Sequence, residues 1–165
     1  KIYDERPRDR SHQTFQTRWN HHFTELNGTS RWAYRYYSDN WGIRSHTMDA
    51  EWVQRLGGGW SVAPAVRYYS QTAAKFYVEV DPTLAPFPTS PPVDARYFSE
   101  DQRVSAFGGL TVGMKLVKQL SLDTKVDLKF EQYGQKGVWS LMGSGSKGLV
   151  PFYARSLQVG LTHTF

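Results

Sequence analysis

The sequence predicts an all-β protein, an antiparallel up-and-down transmembrane β-barrel. Three observations predict it. Apolar and polar residues alternate with a period of two in seven runs of about 11–14 residues. Soluble strands are mostly 3–10 residues long, whereas a bilayer alone demands about 9–11. Tight turns alternate with long connections, and the chain ends in a strand closed by Phe165.

The elements follow in order. Residues 11–24 set Phe15, Thr17, Trp19, His21 and Phe23 against Thr14, Gln16, Arg18, Asn20 and His22. From Ser30, Trp32, Tyr34 and Tyr36 oppose Arg31, Ala33, Arg35 and Tyr37. The third run puts Met48, Ala50 and Trp52 against Asp49, Glu51 and Arg55. The fourth puts Val62, Pro64, Val66 and Tyr68 against Ser61, Ala65, Arg67 and Tyr69. In the fifth, Val104, Leu110, Val112 and Met114 oppose Arg103, Thr111 and Lys115. The sixth is the cleanest: Leu120, Leu122, Val126, Leu128 and Phe130 against Asp123, Lys125, Asp127, Lys129 and Glu131. The seventh carries Tyr153, Leu157, Val159, Leu161 and Phe165 opposite Ser156, Gln158 and Thr162.

Residues 25–29 (ELNGT), 57–59 (GGG) and 117–119 read as tight turns. Residues 38–45, 71–101 and 134–150 read as longer connections, the last two as long extracellular loops. Residues 71–101 hold five prolines, Pro82, Pro86, Pro88, Pro91 and Pro92, so this stretch is expected to be extended or mobile. The Gly/Ser-rich GSGSKG of the last loop is expected to be flexible. RYYS occurs at residues 35–38 and again at 67–70, each time at the loop end of a strand, as a meander requires.

An eight-stranded lipocalin-type barrel would place the apolar face inside. Three features argue that it faces outward. Trp19, Phe23, Trp32, Trp52 and Trp60 flank the short turns, and Tyr36, Tyr68 and Tyr153 lie near the long loops, as two aromatic girdles. The other face is too charged for a dry ligand cavity: Arg18, Arg31, Arg35, Arg55 and Arg67 with Arg103, then Lys115, Lys125 and Lys129. Asp49, Glu51, Asp123, Asp127 and Glu131 accompany them, and all fourteen are expected to line a wet lumen. Finally, the terminal strand ending in Phe165 has the form of a barrel assembly signal. Arg155 has outward parity. It lies about 33 Å along the strand from Phe165, or about 23 Å of height when tilted, and so reaches the far interface. Arg44 also falls at a loop end.

Composition narrows the function. The 165 residues carry a net charge of +5, 15% aromatics and no Cys. A disulfide framework, a thiolate metal site and a Cys nucleophile are therefore excluded. Mean hydropathy is −0.57. No apolar run spans a bilayer as a helix, but in/out alternation gives a polar average in any membrane barrel. His21 and His22 point to opposite faces, and His12 and His22 lie too far apart along the strand, so no metal or other cofactor is expected. His46 stands near Ser45 and Asp49, the arrangement an outer-membrane hydrolase would need. Ser45 has the opposite parity, and no nucleophile motif occurs, so an enzyme is not expected. The glycine-rich segments lack the strand–loop–helix setting of a phosphate cradle. Basic residues interleave with acids rather than forming a patch, which argues against nucleic acid.

RYYSDNWGIRSHT (residues 35–47), VRYYSQTAAKFYV (66–78) and the upstream RWNHHF (18–23) resemble a proteobacterial family of unknown function, thought to be outer-membrane barrels. The resemblance spans most of the chain and implies no catalytic residue. It implies a parent protein about twice as long, beginning with a signal peptide, and a redox-linked role in the envelope through neighbouring genes for flavin-transferase and thioredoxin-like proteins.

Two function classes remain. One is a pore with a charged, mildly anion-selective lumen in a bacterial outer membrane. The other is a closed barrel acting as scaffold or sheath for a periplasmic or surface protein. The expected partners are the bilayer, lipopolysaccharide and, through the C-terminal strand, the barrel-assembly machinery. With seven strands, the first and last run the same way, whereas bacterial barrels are even-stranded. Residues 1–165 are therefore expected to be a single barrel segment, the C-terminal half of a larger barrel. A missing N-terminal segment or a second chain would complete it. No signal peptide opens the chain at Lys1.

Overall fold

A computed structural model describes residues 4–79 and 94–165. Seven strands account for most of them: β1 (His12–Phe23), β2 (Gly28–Asp39), β3 (Arg44–Gly57), β4 (Trp60–Gln71), β5 (Phe107–Gln119), β6 (Thr124–Lys136) and β7 (Phe152–His163). They form one antiparallel meander in sequence order. β1 and β7 are its edges and do not pair, so the strands make an open sheet rather than a closed barrel. Two short 3₁₀ turns, Gln102–Val104 and Gly137–Trp139, complete the described structure.

The register assigns the faces. One row reads Arg18, Ala33, Asp49, Arg67, Thr111, Tyr133 and Ala154, each opposite the next. Side chains two residues away share that face, and those one residue away point through the sheet. Most of the large apolar residues of the strands fall on the second face, where many are left in the open. Leu157 is 68% exposed, Val159 74% and Met114 54%. The buried hydrophobic residues are just Ile43, Ala63, Ala74, Val104 and Phe107 among those described. No helix among the described residues is long and apolar enough to cross a membrane.

Three boundaries differ from expectation. β5 runs through to Gln119 and β6 begins at Thr124, so Leu120, Leu122 and Asp123 occupy a turn in which Leu120 N–H donates to the Thr124 carbonyl at 2.9 Å. Apolar alternation runs on through this Ser-Leu-Asp-Thr turn, so period alone misplaces it; the turn-forming Ser and Asp locate it. Residues 40–43 make a tight turn rather than a longer loop, because Asp39 Oδ1 accepts from Ile43 N–H at 2.9 Å. Arg103, expected on a strand, lies in the first 3₁₀ turn, where the Asp101 side chain caps its N–H at 2.9 Å.

The long connections are packed at the loop end. Ile43, Ala74 and Val104 form a small core with Tyr37, Trp41, Phe76 and Tyr77. Residues 4–11 close over it: Glu5 pairs with Phe98, Trp41 Nε1 donates to the Asp9 carbonyl at 3.0 Å, and Arg10 lies 4.4 Å over the Trp41 ring. Arg6 bonds Asp4 and reaches Asp101 at 2.8 Å. The guanidiniums of Arg103 and Arg6 hold the Asp101 carboxyl well below the usual carboxylate range. The expected mobile Pro-rich stretch, with Pro82, Pro86, Pro88, Pro91 and Pro92, lies outside the described residues. The Gly/Ser-rich loop is anchored. Ser146 exchanges two bonds of 2.9 Å with Ala106, and Leu141 N–H donates to Ser70 Oγ at 2.8 Å.

Candidate functional site: the charged face of the sheet

The strands bring twelve of the fourteen expected charged residues to one face. Arg18, Arg31, Arg35, Arg55 and Arg67 come from β1 to β4, and Lys115, Lys125 and Lys129 from β5 and β6. Asp49, Glu51, Asp127 and Glu131 stand among them. The two exceptions are Arg103, in the 3₁₀ turn, and Asp123, in the β5–β6 turn.

Register decides which charges pair. Arg31 stands directly opposite Glu51, at 2.9 Å, and Arg67 opposite Asp49, at 2.5 Å. Lys115 and Lys129 are also direct opposites, an arrangement that destabilises a sheet. Each is relieved by an acid diagonally or two residues away: Lys115 by Asp127 at 3.3 Å, Lys129 by Glu131 at 2.9 Å. All four acids of the set are thereby used. Arg18, Arg35, Arg55 and Lys125 have no acidic partner among the described residues. Arg35 has Thr47 Oγ1 at 3.5 Å, and the Arg18 guanidinium donates to the Gln16 side-chain oxygen at 3.1 Å. Asp39 shares this face and was not singled out by sequence; its fully buried carboxylate holds Arg10 at 2.7 Å.

The sheet curls toward these charges. Arg18 on β1 and Lys129 and Glu131 on β6 line one cavity of about 420 Å³. In a flat sheet they would stand five strand spacings, about 24 Å, apart. A second cavity of about 470 Å³ lies toward the loops, lined by Arg18, Arg35, Arg67, Tyr69 and Tyr133. Ala33, Ala65, Gly109 and Gly113 keep the space open. The loop-end core reaches this face through Tyr37, and Tyr69 meets Phe107 there at 5.7 Å between rings.

The eight expected girdle aromatics, Trp19, Phe23, Trp32, Trp52, Trp60, Tyr36, Tyr68 and Tyr153, all lie on the opposite, apolar face. Sequence reading missed a ninth, Trp139. The 3₁₀ turn lays it over β5 and β6, where Tyr68 OH donates to its carbonyl. A Cβ on Gly108 would stand 1.9 Å from that carbonyl oxygen, so only glycine admits this approach. An aromatic just beyond the end of β6 was the available signal. Phe165 follows β7 by two residues, and its ring meets His163 at 4.8 Å.

The histidines contact hydroxyls without an acid behind them. His22 meets Thr29 at 3.0 Å, His46 meets Tyr34 at 2.7 Å, and His163 meets Thr124 at 2.8 Å. His46 lies on the apolar face and Ser45 and Asp49 on the charged one, so they make no triad. No group of three metal-ligating residues occurs among the described residues.

Taken together, these features define an all-β protein with an amphipathic antiparallel meander, charged on the face toward which it curls. Residues 1–155 match the family model described as a protein of unknown function, DUF3570, and the chain belongs to that family. No curated protein and no solved structure matches it.

Proposed function

We propose that this protein is part of an integral outer-membrane β-barrel of a Gram-negative bacterium and forms a pore for small anionic solutes. One observation carries the reading: the strands are amphipathic in the sense opposite to a soluble sandwich or lipocalin. The side chains facing outward are apolar and exposed, while those facing inward are charged. An exposed apolar face of this extent in a soluble protein would be an aggregation site; against acyl chains it is stabilising. Anion preference rests on Arg18, Arg35, Arg55 and Lys125, the inward cations left after every inward acid of the set is paired. Closure of the barrel requires further strands at β1 and β7. No catalytic residue and no cofactor enter the reading.

The test is reconstitution of the full protein in planar bilayers. Stepwise currents with a reversal potential favouring chloride over potassium are expected. Absence of current from inserted, folded protein would sink the pore.

A second reading, a closed barrel serving as scaffold or sheath for an envelope partner, is favoured by the packed loop end. The core of Ile43, Ala74 and Val104 rests on inward-facing Tyr37. Stoichiometric co-purification of a periplasmic or surface protein, without conductance, would support it.

A further inference from the structure

The outward face carries a feature that a plain lipid contact does not require. Between β4, β5 and β6, Pro64, Leu110, Val112, Met114, Phe130 and Trp139 line a groove of about 540 Å³. Trp139 forms its roof at the loop end, and the backbone is shaped to hold it there. Gly134 meets the indole at 3.2 Å with a virtual Cβ, and Gly108 admits its carbonyl. Lys136 stands at the roof, its Nζ 5.0 Å from the Trp139 ring centre and 5.8 Å from that of Tyr153. Gln132, also in the groove wall, is the register partner of Arg155 on β7. An apolar slot is thus bordered by two outward-pointing cations. Lys136 and the position opposite Arg155 are four residues apart on β6, about 13 Å.

We infer that this groove binds lipopolysaccharide, one acyl chain in the slot and its phosphates on Lys136 and Arg155. The inference rests on the barrel reading, which puts the long-loop end in the outer leaflet. Charge complementarity selects a phosphorylated lipid, since a cation beside lipid without an anion is costly. The separation of the two cations selects a headgroup with phosphates at both ends of a disaccharide. A phosphatidyl headgroup, with a single phosphate, reaches one cation. The aromatic rings beside Lys136 hold the ammonium at the interface rather than in the apolar slot.

The test uses the full protein refolded without lipopolysaccharide and titrated with it in detergent. Wild type is compared with K136Q/R155Q and with V112W, which fills the slot from a lipid-facing position. Weakening on the order of thirtyfold is expected for the double variant, a comparable loss for V112W, and weak competition by phosphatidylglycerol. Equal binding by wild type and both variants overturns the site, and so does phosphatidylglycerol binding as tightly as lipopolysaccharide. Flotation with liposomes separates the two levels. Protein that floats but binds alike in all forms refutes the groove alone. Protein that never floats refutes the barrel reading and the groove with it.

Discussion

Two neighbouring substitutions on β7 separate a membrane sheet from a soluble one. Leu157 points to the apolar face and Ser156 to the charged one, where it stands opposite Glu131. Leu157 is eight residues from Phe165. In the membrane reading that is about 26 Å along the strand, or about 19 Å of height at a tilt near 45°. With Arg155 at the loop-side edge of a ~25 Å apolar band, Leu157 lies about 5 Å inside it. Arginine there costs about 1–2 kcal/mol, a fivefold to thirtyfold change in the folded ratio. Ser156→Arg costs little, because it gains an acidic neighbour in a wet interior. In a soluble protein the difference vanishes, because both positions are exposed. Leu157 is 68% exposed, and a charge at so open a surface position changes stability by only about 0.5 kcal/mol.

The assay is urea titration of folding into lipid vesicles, read by gel mobility with and without heating and by tryptophan emission. L157R is expected to shift the midpoint downward, with S156R close to wild type. Equal midpoints, or L157R within about 0.5 kcal/mol of wild type, would refute the assignment of the apolar face to lipid.

Other outcomes follow from the same geometry. R18Q/R35Q removes two unpaired inward cations and should move the reversal potential toward non-selectivity, while R67Q should do so less because it frees Asp49; bi-ionic potentials in planar bilayers measure both. Asp101 is held below the usual carboxylate range by Arg103 and Arg6, so its contribution to the N-terminal clasp is present above about pH 4 and is lost as pH falls through its lowered value. D101N should mimic that loss at neutral pH, and faster tryptic cleavage after Arg8 reports it. Gly108→Ala should push the Trp139 carbonyl off the sheet, and amide exchange at Leu141 and Ser146 should rise while the centres of β5 and β6 stay protected.

Period-two alternation made the strands and their faces legible, because a half-buried strand must alternate and register only copies that parity across the sheet. Twelve inward charges and eight outward aromatics could therefore be assigned from residue numbers. Arg103 and Asp123 could not, since parity says nothing once the chain leaves the strand. The turn at residues 120–123 was hidden for the same reason: Leu120 and Leu122 keep the rhythm of β6 without belonging to it. Salt-bridge partners were legible only in part. Arg31–Glu51 follows from counting residues back from the β2–β3 turn, but the relief of Lys115 by Asp127 depends on a diagonal that sequence does not give. The packing of the long loops was beyond reach, because it depends on glycines such as Gly108 that look like any other until Trp139 lies against them.

The edges give the membrane reading its strictest consequence. β1 and β7 each present a row of unpaired N–H and C=O groups along one side. In hydrocarbon each such group costs several kcal/mol, so two open edges of twelve residues cannot remain in a bilayer. Six successive antiparallel pairings leave β1 and β7 running in the same direction. Joining them directly would create a parallel seam, and so would a second copy inserted the same way up, its β1 meeting the β7 of the first. An antiparallel closure needs an odd number of additional strands between them. The same count holds wherever those strands originate, and it makes a two-copy, fourteen-strand ring the assembly least compatible with this sheet. Disulfide cross-linking of cysteines placed on β1 of one copy and β7 of another should accordingly fail in membranes.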